Sequence, residues 1–468
     1  MSDQPLCYLS LQELSTQLQS GSISSAEATR ATFDRIRAQS KLNAYITVMD
    51  ESATHAAANA DKELGAGRSR GPLHGVPIGV KDLCLTKGVR TTCASGVLRD
   101  WIPNESATVV ERLEAAGAII VGKLHMTEFA SVWYHPEFPS PKNPWGDDLW
   151  PGASSSGSGA ATAAGLCYGS LGSDTGGSIR LPSAANGIVG LKPTWGRVSR
   201  HGVFPLAESL DHIGPMTRTV TDAALILSAI AGYDFRDQTS LTAPVENYAA
   251  TIEDGVSGLR IGLDEAFITK GASAEVSGAV VEAVRTLERL GARIVKVSFP
   301  AIASVLAIAM NLLSAETATA HEATYPSKAD QYGAGFRSLL EIGAQVRGQD
   351  YAKGLMERMR FANQVQNLFD QIDIFACPSM SSASLPSNAV PPDARSLDLE
   401  NEQGLVRFTM PFDLSRNPTL SLPCGKSLSG PPPSLQLIGR LLGEATILRA
   451  GRAFERATDW NQQTPPVR

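Results

Sequence analysis

The chain has no continuous apolar run of about 18 residues, the length a membrane-crossing helix requires. The nearest stretch, 301–313, is shorter and is interrupted by Ser304 and Asn311, so no membrane partner is expected. Basic residues are scattered, and 41 Lys and Arg against 47 Asp and Glu leave a net charge of −6; that excludes the electrostatic footprint of a nucleic-acid binder. The opening Met1-Ser-Asp-Gln-Pro-Leu6 lacks both the basic start and the apolar stretch of a secretory signal. Cysteine is sparse: Cys7, Cys84, Cys93, Cys167, Cys377 and Cys424 include no close pair of the metal or redox kind. Reduced, mostly buried thiols in a cytoplasmic protein are the expectation. The 7 histidines include no pair at the spacing of a zinc site. Neither metal nor cofactor is expected.

What is present is core material. The 468 residues are 43% apolar, 19% charged and 6% aromatic, enough for an extensive interior. Ser10 with Glu13, and Ser24 with Glu27, fit capping boxes ahead of apolar-periodic helices. Strand-like 75–83 follows, then a helix from 106 to Gly117 and a strand over 118–122. The pattern continues with a helical 158–165, a strand at 166–171, a short helix opening at Ser178 and a helix at 219–231. Further on come strand 259–263, helix 275–290 and strand 293–297. Residues 301–360 read as mostly helical, broken at Pro326 and Gly333, with late strands at 372–377 and 419–422. Pro- and Ser-rich 378–392 and 427–433 read as loops. Alternation of this kind predicts a single large α/β domain, its sheet covered by helices on both faces.

Three segments carry chemistry. Two are Ser-Gly clusters, Pro151-Gly-Ala-Ser-Ser-Ser-Gly-Ser-Gly159 and Gly172-Ser-Asp-Thr-Gly-Gly-Ser-Ile-Arg180; neither has a histidine beside it. Thr175-Gly176-Gly177-Ser178 can form a nest of N–H groups suited to an anion or a developing oxyanion. The plain structural alternative is a Gly-Ser turn that caps a helix. The third segment, Gly75-Val-Pro-Ile-Gly-Val-Lys81-Asp82, places a lysine at the end of an apolar run. A serine hydroxyl attacks well only when a neighbouring base takes its proton. Lysine serves as that base when burial keeps part of it neutral; the alternative is a solvated surface lysine. A second serine between them could relay the proton.

These segments resemble those of the amidase signature family. The likeness extends upstream to Asn143-Pro-Trp145 and downstream to Gly190-Leu-Lys-Pro-Thr194. Near the C-terminus it takes in Asn417-Pro-Thr-Leu-Ser-Leu-Pro423 and Leu435-Gln-Leu-Ile-Gly439, so it covers nearly the whole chain. The resemblance implies a mixed β-sheet in one amidase domain spanning 1–468: a helical N-terminal part (1–70), the signature core (71–200) and a helical substrate-pocket insertion (301–370). It implies a Lys81 base, a Ser154 relay after a cis Ala153–Ser154 bond, and a Ser178 nucleophile that forms an acyl-enzyme. The amides of Thr175, Gly176, Gly177 and Ser178 would then hold the oxyanion. Ala153 and Ser156 stand where the family usually has glycine, small changes expected to preserve the geometry. Ser155 rivals Ser154 for the relay. Asp174 and Arg180 are expected to brace the loop, with Arg180 meeting a substrate carboxylate as the other reading.

Competing motifs fail on particular residues. Ile179 and Arg180 follow Ser178, so the Gly-x-Ser-x-Gly elbow of α/β-hydrolases is absent. No lysine follows a serine by three positions, as a β-lactamase site needs. Gly425-Lys-Ser427 lacks the first phosphate-loop glycine, that position being Leu420. Linear amides cleaved at the C–N bond are the expected substrates, with esters or carbamates open to the same acyl chemistry. Trp133, Tyr134 and Phe138, with helical residues around 306–312, either line the pocket or pack the core. If they line it, an aryl or moderately apolar amide is favoured. The alternative function is that of family relatives that release ammonia from glutamine within a tRNA-dependent amidation complex. Such members carry an acidic residue about five positions before the segment matching Pro411, where this chain has Val406. An exposed apolar helix face would favour a homodimer.

Overall fold

The computed structural model describes residues 5–399, 401, 404–427 and 430–467. The first four residues, and residues 428 and 429 of the second Pro- and Ser-rich loop, lie outside the described residues. Both capping boxes form, at Ser10–Glu13 and Ser24–Glu27, each serine accepting from the glutamate N–H while the glutamate accepts from the serine N–H.

The chain builds one sheet from β1 (Tyr45–Val48), β2 (Pro77–Lys81), β3 (Ile119–Leu124), β4 (Ser170–Asp174), β5 (Val189–Lys192), β6 (His212–Thr217), β7 (Arg260–Leu263), β8 (Arg293–Lys296), β9 (Ile374–Pro378), β10 (Thr419–Pro423) and β11 (Ser434–Gly439). The order across this 11-stranded sheet is β1-β3-β2-β4-β6-β5-β10-β11-β9-β7-β8. Pairing is mixed: β2 runs parallel to β3 and β4, and β7 parallel to β8 and β9, while the other neighbours are antiparallel. Successive side chains on a strand point to opposite faces. Every residue of β2 to β6 and of β9 to β11 is buried, so helices cover both faces of this single α/β domain.

Differences from the sequence reading that bear on the site lie at β4 and the turn after it. The strand expected at 166–171 begins later, at Ser170, and Ser178 does not open a helix; that helix is Arg180–Asn186, with Ile179 at its N-cap. The serine therefore sits in a turn between β4 and the helix. The apolar stretch at 301–313 belongs to a longer helix, Ala303–Ala320, which by length and composition could cross a membrane, with a mean hydropathy of 1.3. Here it packs against helices Ala334–Gly343 and Gly348–Leu368.

The sheet positions the site. Lys81 is the last residue of β2 and Asp174 the last of β4, and parallel strands present ligand sites at their carboxyl ends. Gly79 lets β2 lie this close: a Cβ there would come within 2.6 Å of the Leu124 side chain on β3.

Candidate active site

Lys81 has no solvent exposure, and its Nζ lies 2.6 Å from Ser154 Oγ and 2.7 Å from Ser173 Oγ. Burial penalises the ammonium and pushes this lysine down to about 7, against weaker pulls upward from Cys84, Asp174, Asp211 and Cys93. Near neutral pH a large fraction of the amine is therefore unprotonated and able to accept a proton. Ser154 is also fully buried, and the Ala153–Ser154 peptide is cis. Ser155 faces elsewhere: its Oγ donates to the Ser173 carbonyl and accepts from the Ser173 N–H, both at 3.2 Å. Of the two rivals, Ser154 is the one in contact with the lysine.

Ser178 keeps 9% of its surface exposed. It lines a cavity of about 60 Å³ together with Ala153, Thr175 and Gly176. Lys81 and Ser154 are thus wholly out of water, whereas Ser178 stands at the cavity wall. The turn carrying Ser178 is held from behind. Asp174 accepts from the amides of Gly177 (2.6 Å), Ile179 (3.0 Å) and Arg180 (3.3 Å). The Gly177 N–H is thereby committed to Asp174, whereas Thr175, Gly176 and Ser178 border the cavity.

Arg180 is a brace. It has no exposed surface and donates to Asp174 through Nε and Nη2, to Asp413 at 2.6 Å, and to the Thr409 carbonyl and Gln436 Oε1 at 2.9 Å. Nothing of it reaches the cavity, which removes the substrate-carboxylate reading. Burial alone would raise the Asp174 carboxyl; the Arg180 guanidinium outweighs it and holds the group well below the usual carboxylate range.

The aromatic segment divides. Trp133 lines the cavity and donates its indole N–H to the Pro391 carbonyl. Tyr134 and Phe138 do not belong to the lining; both set their rings against His125. Of the three aromatics, the structure brings Trp133 alone to this cavity, and Tyr134 and Phe138 follow the packing alternative. Met310 and Leu313, on the helix Ala303–Ala320, do line it. So do Leu181, Leu206, Val406 and Met410, and no Asp, Glu, Lys or Arg occurs in the lining among the described residues. Sequence reasoning misses Ser173, although it stands inside one of the Ser-Gly clusters, because its contact with Lys81 depends on β2 and β4 being neighbours. Asp211, which accepts from Thr175 Oγ1 at 2.6 Å, leaves no local signal at all.

A family model described as Amidase matches residues 27–448. The chain belongs to the amidase signature family. Among relatives of this amidase, the protein AmiD of Mycobacterium tuberculosis is 42% identical over 471 residues, covering 100% of this chain and 98% of that one. A glutamyl-tRNA(Gln) amidotransferase subunit of Thermosynechococcus vestitus is 39% identical over 489 residues, covering 98% and 99%. The structure of native peptide amidase from Stenotrophomonas maltophilia matches with a TM-score of 0.85 at 28% identity, over 99% of both chains. This amidase is thus an enzyme of an amide-hydrolysing family.

Proposed function

We propose that this enzyme hydrolyses small to medium linear amides with a partly apolar or aryl character, through an acyl-enzyme on Ser178. The observation that supports it best is the juxtaposition of Ser178 with an uncharged wall of Trp133, Leu181, Met310, Leu313, Val406 and Met410. A charged substrate would leave its hydration there without a counter-charge. Met310 and Met410 on that wall are adaptable side chains that can make room for a bulkier acyl group.

In the mechanism we infer, neutral Lys81 takes the proton of Ser154, which takes that of Ser178 as its Oγ attacks the carbonyl carbon. The amides of Thr175, Gly176 and Ser178 hold the oxyanion, with Gly177 serving the turn through Asp174. The proton returns along the same path to the leaving nitrogen, the C–N bond breaks, and water repeats the sequence on the acyl-enzyme. Esters and carbamates meet the same requirements, since only the leaving group differs.

A second reading, glutamine hydrolysis inside an amidotransferase complex, is favoured by the 39% identity to the amidotransferase subunit over nearly the whole chain. Val406 on the cavity wall counts against it, because free glutamine brings two charges to a lining that carries no Asp, Glu, Lys or Arg among the described residues. We place the enzyme in the cytoplasm. A homodimer would use helix Gly348–Leu368, where Met356 and Met359 are 50% and 64% exposed.

The deciding experiment is a hydrolysis screen of acyl anilides, aliphatic amides, esters and carbamates, read alongside ammonia release from glutamine. Turnover of anilides and apolar amides is the expected result. Ammonia from glutamine with every apolar amide untouched would overturn the proposal.

A further inference from the structure

Asp211 lies on neither Ser-Gly cluster and outside the catalytic relay, yet it is 7% exposed and receives hydrogen bonds from two parts of the site. Its Oδ1 accepts from Thr175 Oγ1 at 2.6 Å and from the Ala207 N–H at 3.2 Å. Its Oδ2 accepts from the Leu206 N–H at 2.9 Å and again from Ala207 at 3.2 Å. The Leu206 and Ala207 N–H groups can only donate, so a proton on this acid would have only the Thr175 hydroxyl to meet. Thr175 belongs to the nucleophile turn, and both it and Leu206 line the cavity. The next residue, His212, begins β6 and lies with its Nδ1 3.2 Å from the Asp174 carbonyl. Adjacent residues on one strand entry therefore tie down adjacent residues of the turn.

We propose that Asp211 is a positioning residue: its carboxylate fixes the Thr175 end of the oxyanion turn against the Leu206 wall, and its negative charge acts on the Lys81 amine. The inference rests on the Lys81–Ser154–Ser178 reading and assigns that site a further determinant. The charge reaches Lys81 along with that of Asp174, and the thiols of Cys84 and Cys93 also face the amine. Asp82, beside Lys81 in the chain, is paired with Lys123 at 3.3 Å. Asp174 is compensated by its ion pair with Arg180. Asp211 is held differently: burial lifts it to about 6, against the opposing pulls of the Thr175 hydroxyl and the Arg200 charge, so it is still ionised at neutral pH. Removing one nearby negative charge disfavours the ammonium, so Lys81 would lose its proton at lower pH.

The test compares Asp211→Asn, Thr175→Val and Thr175→Ser with the unaltered enzyme, on an acyl p-nitroanilide across a pH series. Asp211→Asn should lower kcat about 10- to 100-fold, the scale of a small misplacement in a site, and shift the acid limb roughly half a pH unit or more downward. Thr175→Val should lower kcat with the limb unmoved, and Thr175→Ser should recover most of the loss. A merely structural Asp211 would leave the limb in place. An Asn variant with unchanged kcat, or with an unmoved limb, overturns the proposal. If that variant does not fold, the Thr175 pair decides: unchanged kcat in Thr175→Val overturns it. Labelling of Ser178 by a serine-directed phosphonate is the control, since its failure in the unaltered enzyme would reject the nucleophile rather than Asp211.

Discussion

Lys81 meets Ser154 at 2.6 Å with the lysine wholly out of water. Its other close partner is the Ser173 hydroxyl at 2.7 Å, and its hydrogen-bond partners among the described residues include no carboxylate. A buried lysine with a carboxylate partner would stay charged; one surrounded by hydroxyls is free to lose its proton. The surroundings of this amine thus suit a base better than an ion pair.

Activity should follow that amine. With Lys81 lowered from its ordinary 10.5 to about 7, the proton-accepting form dominates above neutrality and is lost below it. We expect kcat/KM to fall roughly tenfold per pH unit on the acid side and to level off above about pH 7. Lys81→Ala should cost several orders of magnitude and abolish that limb. A profile flat from about pH 5 to 9 in the unaltered enzyme would remove the lysine from the mechanism.

The same shift makes a stability claim. Between about 7 and 10.5 the unfolded lysine binds a proton that the folded one has released. Stability therefore rises with pH across that window, and the whole penalty is present below it. Lys81→Met removes the penalty with little change in shape. At pH 7 it should raise stability by about 1–3 kcal/mol, the range seen when buried charges give way to apolar side chains. Urea unfolding would measure it, and an unchanged or lowered midpoint would count against a desolvated amine.

Much of this arrangement is readable from local sequence, and what escapes is non-local. The capping boxes and the helix-strand alternation depend on near neighbours and emerge directly. β6 does not: Gly214 and Pro215 in His212–Thr217 suggest a turn, yet Pro215 pairs with Leu171 inside the sheet. The Leu435–Gly439 segment is visible as a motif but not as a strand, although β11 lies between β10 and β9. Within the site, Lys81, Ser154 and Ser178 are legible because each lies in a compact motif. Trp133 cannot be separated from Tyr134 and Phe138 by sequence, since only packing against His125 turns the latter two away.

Arg180→Lys should behave as a damaging change. The guanidinium makes two hydrogen bonds to Asp174 and reaches Asp413, the Thr409 carbonyl and Gln436 as well. An ammonium cannot reproduce that fork, and Asp174 and Asp413 would lose hydrogen bonds that it supplies. A loss of about 3–5 kcal/mol is expected, read as a lower urea midpoint together with reduced kcat. Unchanged stability would mean that the buried ion network contributes little to the turn.

Gly177→Ala separates geometry from charge. Gly177 has φ +134°, and a Cβ there would lie 2.5 Å from Thr409 Oγ1 and 2.9 Å from Leu181 Cδ1. The threonine cannot easily withdraw, since its hydroxyl donates to the Gly176 carbonyl at 2.6 Å. The turn must shift instead, carrying the neighbouring amides away from the carbonyl oxygen. We expect kcat to fall about 100-fold or more, as when an oxyanion donor is lost, with KM nearly unchanged. Full activity would show that the turn tolerates displacement.

Val406→Asp tests the apolar wall. Val406 is buried, lines the cavity with Ser178 and Met410, and has no cation on that lining among the described residues to receive a carboxylate. The new charge would either draw water into the cavity or take up a proton, and in both cases an apolar acyl group loses its contact surface. KM for an acyl anilide should rise about tenfold or more, equivalent to at least ~1.4 kcal/mol of lost binding, while a small phosphonate should still label Ser178. Val406→Leu, which keeps the wall apolar, should leave KM within a few-fold. If the aspartate variant bound the anilide as well as the unaltered enzyme does, the acyl group would have to sit elsewhere, and Val406 would no longer weigh against glutamine as the substrate.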